Sequence, residues 1–161
     1  MNPLSVYRNI WRKAMTDTKL IVRRFFEASA ERLFRAWTDP ERIVTWFGPK
    51  GMTCLAAEID LRVGGHYHLS NRLPNGAPLE IFGEYVHIDP CRELIFSWRT
   101  GPSNGPERVT VRFLPAGEGT EVEIIHEHIP DRATRDQHES GWNGSLDRLN
   151  EFVAIVSPRA G

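Results

Sequence analysis

Only two cysteines, Cys54 and Cys91, occur among the 161 residues. They are too few and too far apart for a disulfide framework or a zinc spacing, so both are expected to be reduced and packed, as in a cytoplasmic protein. Lysine is scarce as well, standing only at Lys13, Lys19 and Lys50. The other basic residues are arginines that alternate with acids, the formal charge is -1, and no basic block of the kind that binds nucleic acid is present. No run of 18 apolar residues marks a membrane-spanning helix. The opening MNPLSVYRNIWRKA has neither a signal-peptide core nor a small-residue cleavage motif, so secretion is not expected. Internal repeats, low-complexity tracts, Gly-x-Gly-x-x-Gly and Walker patterns and a nucleophile elbow are all missing, which leaves phosphate-loop and elbow-type hydrolase chemistry without a motif.

What is there has the length and the 40% hydrophobic content of one globular domain. That domain is expected over residues 18–157, after an N-terminal extension over 1–17 that reads either as a frayed segment or as a short interfacial helix through Val6, Ile10 and Trp11. KLIVRRFFE reads as a first strand over 19–27. The period then changes, and ASAERLFRAWTDPERIVTWFGP predicts two short helices, the first capped by Ser29 and the second by Asp39 with Pro40 at its start. Six strands are expected over 52–62, 66–73, 79–88, 92–99, 107–114 and 119–128; short turns separate them, so they form an antiparallel meander. Finally Trp142, Leu146, Leu149, Val153 and Val156 recur at spacings of four and three, which predicts one long amphipathic helix capped by Asp131. The fold class is α+β, with the long helix covering the apolar face of the sheet.

The runs FFEASAERLFRAWTDPERIVTWFGP, DLRVGGHYHL, FGEYVHIDPCRELIFSW and ESGWNGSLDRLNEF give this layout a family likeness. Together they resemble the helix-grip fold of the START and polyketide-cyclase (SRPBCC) superfamily, in the subgroup similar to the C-terminal domain of the activator of the heat-shock protein 90 ATPase. The resemblance spans roughly residues 18–156. It implies a curved antiparallel sheet of six or seven strands wrapped around the long helix, with a cavity between them that takes an apolar or amphipathic small molecule. It implies no particular reaction, because members of the superfamily include carriers, receptors, cyclase-like enzymes and co-chaperone domains.

Strand alternation indicates which side chains face that cavity. Val122, Ile124, His126 and His128 share the apolar parity of the last strand, as Val109, Val111 and Phe113 do before it and Leu94, Phe96 and Trp98 before that. The ligand-binding candidates are Trp37, Trp46 and Phe47 on the short helices, Phe96, Trp98, Val111, Phe113, Ile124 and His126 on the strands, and Trp142 and Leu146 on the long helix. His126 is the best candidate for an acid-base role, with structural and ligand-orienting roles as alternatives; the catalytic set is otherwise unknown. His128 is expected at the rim. His66 and His68 should face outward, so the four histidines do not converge, and neither a metal nor a cofactor is expected. Asp60 and Arg62 are expected to order a turn in which Gly64 and Gly65 supply positive φ angles. Gly141 and Gly144, flanking Trp142, signal a bend or a close backbone approach in the long helix. The expected function is binding of a small hydrophobic molecule in the cytoplasm. The alternatives are a cyclase-, hydratase- or hydrolase-like enzyme using His126, and a co-chaperone-like domain with a protein partner.

Overall fold

Alternation in LIVRRFF builds β1 (Leu20–Phe26), which buries Leu20, Val22 and Phe26 and leaves Ile21 and Phe25 outside. A computed structural model describes residues 19–101 and 105–156, so the expected extension over 1–17 lies outside the described residues. Helix α1 (Ala30–Thr38) begins where Ser29 Oγ accepts the Arg32 N–H at 3.1 Å. Helix α2 (Pro40–Trp46) follows at once, with Asp39 Oδ1 accepting the Glu41 N–H at 2.9 Å and Pro40 at the position that needs no donor. The meander comprises β2 (Thr53–Ile59), β3 (His66–Arg72), β4 (Pro78–Asp89), β5 (Glu93–Trp98), β6 (Glu107–Ala116) and β7 (Gly119–Glu127). Its order is β1-β7-β6-β5-β4-β3-β2, every neighbouring pair antiparallel, so the first strand closes the sheet beside the last. The sheet curls around α3 (Arg132–Val156), which buries Trp142, Leu146, Leu149 and Val153. Asp131 caps that helix, its Oδ1 accepting the Thr134 N–H at 2.7 Å.

Most strand ends lie one to three residues from the sequence reading, and two of the differences have a clear local cause. β2 stops at Ile59, not 62, because residues 60–65 form a turn: Arg62 Nε donates to Asp60 Oδ2 at 2.8 Å and the Gly65 N–H to the Arg62 carbonyl at 2.8 Å. Only Gly64 in this turn has a positive φ, of 85°. Gly65 serves a different purpose, since a Cβ there would collide with the Asp60 carbonyl. β7 stops at Glu127 because His128 takes a φ of 63°, which turns the chain away from the sheet toward α3.

Close contact, not a bend, accounts for Gly144. A Cβ at that position would lie 2.7 Å from Pro49 Cβ, so the glycine lets the segment after α2 lie directly on α3. Gly141 has nothing within 4 Å and no such duty. Arg148, one turn further along α3, fastens the same segment: its Nη1 donates to the carbonyls of Gly48 at 2.9 Å, Met52 at 3.0 Å and Phe47 at 3.2 Å. Ser145 Oγ accepts the Gly48 N–H at 3.0 Å. Phe47 is thereby held against the concave face of the sheet.

Candidate functional site

The concave face divides into an apolar half and a polar half. In the apolar half a cavity of about 20 Å³ lies between sheet and helices. From the helices Trp37, Ile43, Phe47 and Trp142 border it; from the strands Ile59, Tyr67, Leu69, Tyr85, Phe96 and Trp98 do so. The rings pack edge to face and offset, with centroids 5.5 Å apart for Trp98 and Trp142 and 6.2 Å for Trp37 and Trp142. Tyr67 donates its hydroxyl to the Ser97 carbonyl at 2.6 Å. Burial pushes both the Tyr67 and the Tyr85 phenol above the usual range, so no charge borders the space. Trp98 is only 6% exposed, yet its Nε1–H meets no acceptor among the described residues.

Of the residues singled out from sequence, Trp37, Phe47, Phe96, Trp98 and Trp142 border this cavity. Trp46, Val111, Phe113, Ile124, His126 and Leu146 are all buried but pack elsewhere in the core. Trp46, for instance, donates its Nε1–H to the Ala36 carbonyl at 2.9 Å and so ties the two short helices together. Ile43, Ile59, Tyr67, Leu69 and Tyr85 were not among the candidates. Tyr67 and Leu69 carry the inner parity of β3, so the signal for them was available.

The polar half is built on Glu107, at the start of β6. Its Oε1 accepts from His126 Nε2 at 2.9 Å and from His138 Nε2 at 2.8 Å, and the two imidazoles stack with centroids 4.4 Å apart. Trp142 completes the chain of bonds by donating Nε1–H to His126 Nδ1 at 3.1 Å. An indole nitrogen only donates, so His126 Nδ1 must present a lone pair and the ring's proton must sit on Nε2, facing the carboxylate. The imidazole of His126 is fully buried and neutral: burial pushes its pKa below the usual value against the opposing pull of Glu107. Burial alone would raise the Glu107 carboxyl, but the bonds from His126 and His138 outweigh it and hold the group down at about 2.

Sequence reading missed Glu107 and His138, though both carried a signal. Glu107 shares the parity of Val109, Val111 and Phe113, which places a carboxylate on an otherwise apolar inner face. His138 lies four residues before Trp142, on the same face of the long helix. The remaining histidines stand apart. His66 and His128 are exposed, and His68 faces outward with Nε2 2.6 Å from Glu80 Oε2.

Glu107, His126 and His138 offer three potential metal-ligating atoms within 4.8 Å of one another. Their hydrogen bonding does not suit a metal. Ligation through His126 Nε2 requires the proton to move to Nδ1, where it would face the Trp142 N–H donor to donor, whereas a ligating imidazole needs an acceptor on its far side. The contacts of 2.8 and 2.9 Å to one carboxylate oxygen are hydrogen-bond distances. The donor set fits a proton network.

Residues 27–154 match the model of the family described as activator of Hsp90 ATPase homolog 1-like protein. Among solved structures, a protein of Chromobacterium violaceum is similar at 28% identity, covering 88% of this chain and 98% of its own, with a TM-score of 0.79. The AHSA1 protein of Silicibacter pomeroyi is similar at 24% identity over 85% of this chain and 98% of its own, with a TM-score of 0.77. CalU16 of Micromonospora echinospora is similar at 26% identity over 84% of this chain and 76% of its own, with a TM-score of 0.66. No curated protein matches the chain in sequence. With a match of that length and a seven-stranded sheet gripping its last helix, the chain belongs to the family of activator of Hsp90 ATPase homolog 1-like proteins.

Proposed function

We propose that the protein is a cytoplasmic binding module for a small, largely apolar molecule seated between the concave face of the sheet and α3. One observation carries this: a largely aromatic wall, with no charged side chain in it, surrounds a cavity in the middle of the domain. Protein interiors are ordinarily filled to crystal-like density, so a cavity walled by rings is a place where an occupant gains contacts without displacing polar groups. The space of about 20 Å³ takes one water-sized group, whereas a typical ligand site offers about 300 Å³ or more. Binding therefore requires Phe47 and the segment after α2 to swing out. That segment is bonded to α3 through Arg148 and Ser145, and none of these hydrogen bonds involves the sheet. No described helix is long and apolar enough to cross a membrane.

Acid-base catalysis through His126 is supported less well, because Trp142 occupies one ring nitrogen and Glu107 the other. Native mass spectrometry of protein taken from its host, with a thermal-shift screen of small hydrophobic compounds, tests the binding function. Retained or stabilising apolar compounds, lost in Trp98→Ala and Trp142→Ala, are expected. A screen without a single binder, with both variants changed only in stability, would remove the proposal.

A further inference from the structure

Among the side chains around the cavity, Trp98 is the one with a fully buried polar atom that has no partner among the described residues. Trp142 gives its indole N–H to His126 and Tyr67 gives its hydroxyl to Ser97. Trp98 Nε1 is buried and without a partner among the described residues, in a side chain that borders the cavity. A buried donor left unpaired is costly and uncommon in native proteins, so such a donor on a side chain that borders a cavity points to an acceptor supplied by an occupant. Space for about one water-sized group next to the Trp98 ring matches a single oxygen.

From this we infer that the ligand is a neutral compound carrying a hydrogen-bond-accepting oxygen, a carbonyl on a planar apolar body, with the oxygen on Trp98 Nε1. The inference rests on the cavity being a ligand site and adds the chemistry of what enters it. A carboxylate is disfavoured, since no cation borders the space and the ionised Glu107 lies just behind the His126 and His138 rings that pack 5.2 and 5.9 Å from Trp98. An amine is disfavoured because it would bring a donor to a donor. The flanking rings offer faces for a planar body to stack on.

The test is a double cycle on the full chain with two nearly isosteric probes, acetophenone and α-methylstyrene, against wild type and Trp98→Phe. Phenylalanine keeps a ring and removes the N–H, and the cycle cancels the different hydration of the two probes. Calorimetric affinities are expected to show the ketone-to-alkene ratio falling about ten- to hundredfold in the variant. The Trp98 indole proton, assigned in wild type by its nuclear Overhauser contacts to the His126 and His138 rings, is expected to move downfield with the ketone and not with the alkene. If both probes bind and the ratio is unchanged, the acceptor site is refuted while the apolar pocket stands. If benzoate binds more tightly than acetophenone, the assignment of a neutral ligand is wrong. If neither probe binds, the pocket itself is refuted. Because the indole shift is read in wild type alone, a poorly folding variant leaves the test decisive.

Discussion

Replacing Glu107 by glutamine probes the polar half of the concave face, and its effect has a definite pH dependence. The carboxyl has a folded pKa of about 2 against 4.5 for the free group, a difference of about 2.5 units. At 1.36 kcal/mol per unit, ionised Glu107 contributes about 3 kcal/mol to stability at neutral pH. The sign follows from proton counts. Between pH 4.5 and 2 the unfolded chain has a protonated Glu107 and the folded chain does not, so acid favours unfolding and the contribution fades as pH falls through that window. Glutamine keeps an oxygen for His126 and His138 but carries no charge and does not titrate. Glu107→Gln should therefore cost about 2–3 kcal/mol at pH 7 and almost nothing near pH 2. Glu80, whose folded pKa is lowered by partners remote from Glu107, titrates in both proteins and cancels in the difference, whereas His126, which Glu107 pulls upward against burial, does not, so the variant also gives up stability as pH falls through the histidine range. Urea denaturation followed by far-ultraviolet circular dichroism at a series of pH values gives the two stability curves. Curves that stay parallel from pH 5 to 2, or that coincide at pH 7, would refute the charged hydrogen-bond account of Glu107.

The two helix glycines should respond in opposite directions. Gly144→Ala places a Cβ 2.7 Å from Pro49 Cβ and should destabilise by about 1–3 kcal/mol, whereas Gly141→Ala meets nothing and should stabilise by about 0.5–1 kcal/mol; thermal melts that moved the same way would contradict the close-approach explanation. Arg148→Met removes the clamp on the segment holding Phe47 and should cost about 2–3 kcal/mol, with faster hydrogen exchange confined to residues 47–52. Exchange that rose evenly over the sheet would show that the clamp is not local. Added Zn²⁺ should leave the melting temperature unchanged at neutral pH, because the tautomer of His126 is set against ligation. A zinc-dependent rise that disappears in His138→Gln would overturn that statement.

Much of the architecture was legible because it depends on short-range chemistry. Ser29, Asp39 and Pro40 announce the short helices, and the spacing from Trp142 to Val153 announces α3. Inner and outer faces followed from period-two alternation, which placed His126 inside and His66 and His68 outside. What alternation does not encode is curvature. Trp98 and Phe113 share the inner face of the sheet, yet only Trp98 reaches the cavity, because the helices fill one part of the curled face and leave another. Nor does it encode contacts across the fold. Glu107 and His138 are 31 residues apart, and only the curl of the sheet around α3 makes them partners. The apolar positions around Glu107 on the inner face of β6 mask the carboxylate among them. Gly65 failed for a similar reason, since its neighbour along the turn, not its own φ, demands glycine.

Two tryptophans in contact show how the two halves of the face divide their work. Trp98 and Trp142 pack 5.5 Å apart and both border the cavity, so composition alone would give them the same role. Their N–H groups differ. Trp142 donates inward to His126, whose proton is committed in turn to Glu107, and His138 joins the same carboxylate from α3. All four side chains are thereby held by hydrogen bonds linking α3 to β6 and β7, which stiffens the wall against which an occupant would rest. Trp98, on β5, contributes its ring to the same stack but commits no proton to it. A wall fixed on one side and carrying an uncommitted donor on the other is what the proposed binding role requires. In the His126 network each assigned proton already has an acceptor, so Glu107, His126, His138 and Trp142 act on the cavity through position and not through a free proton.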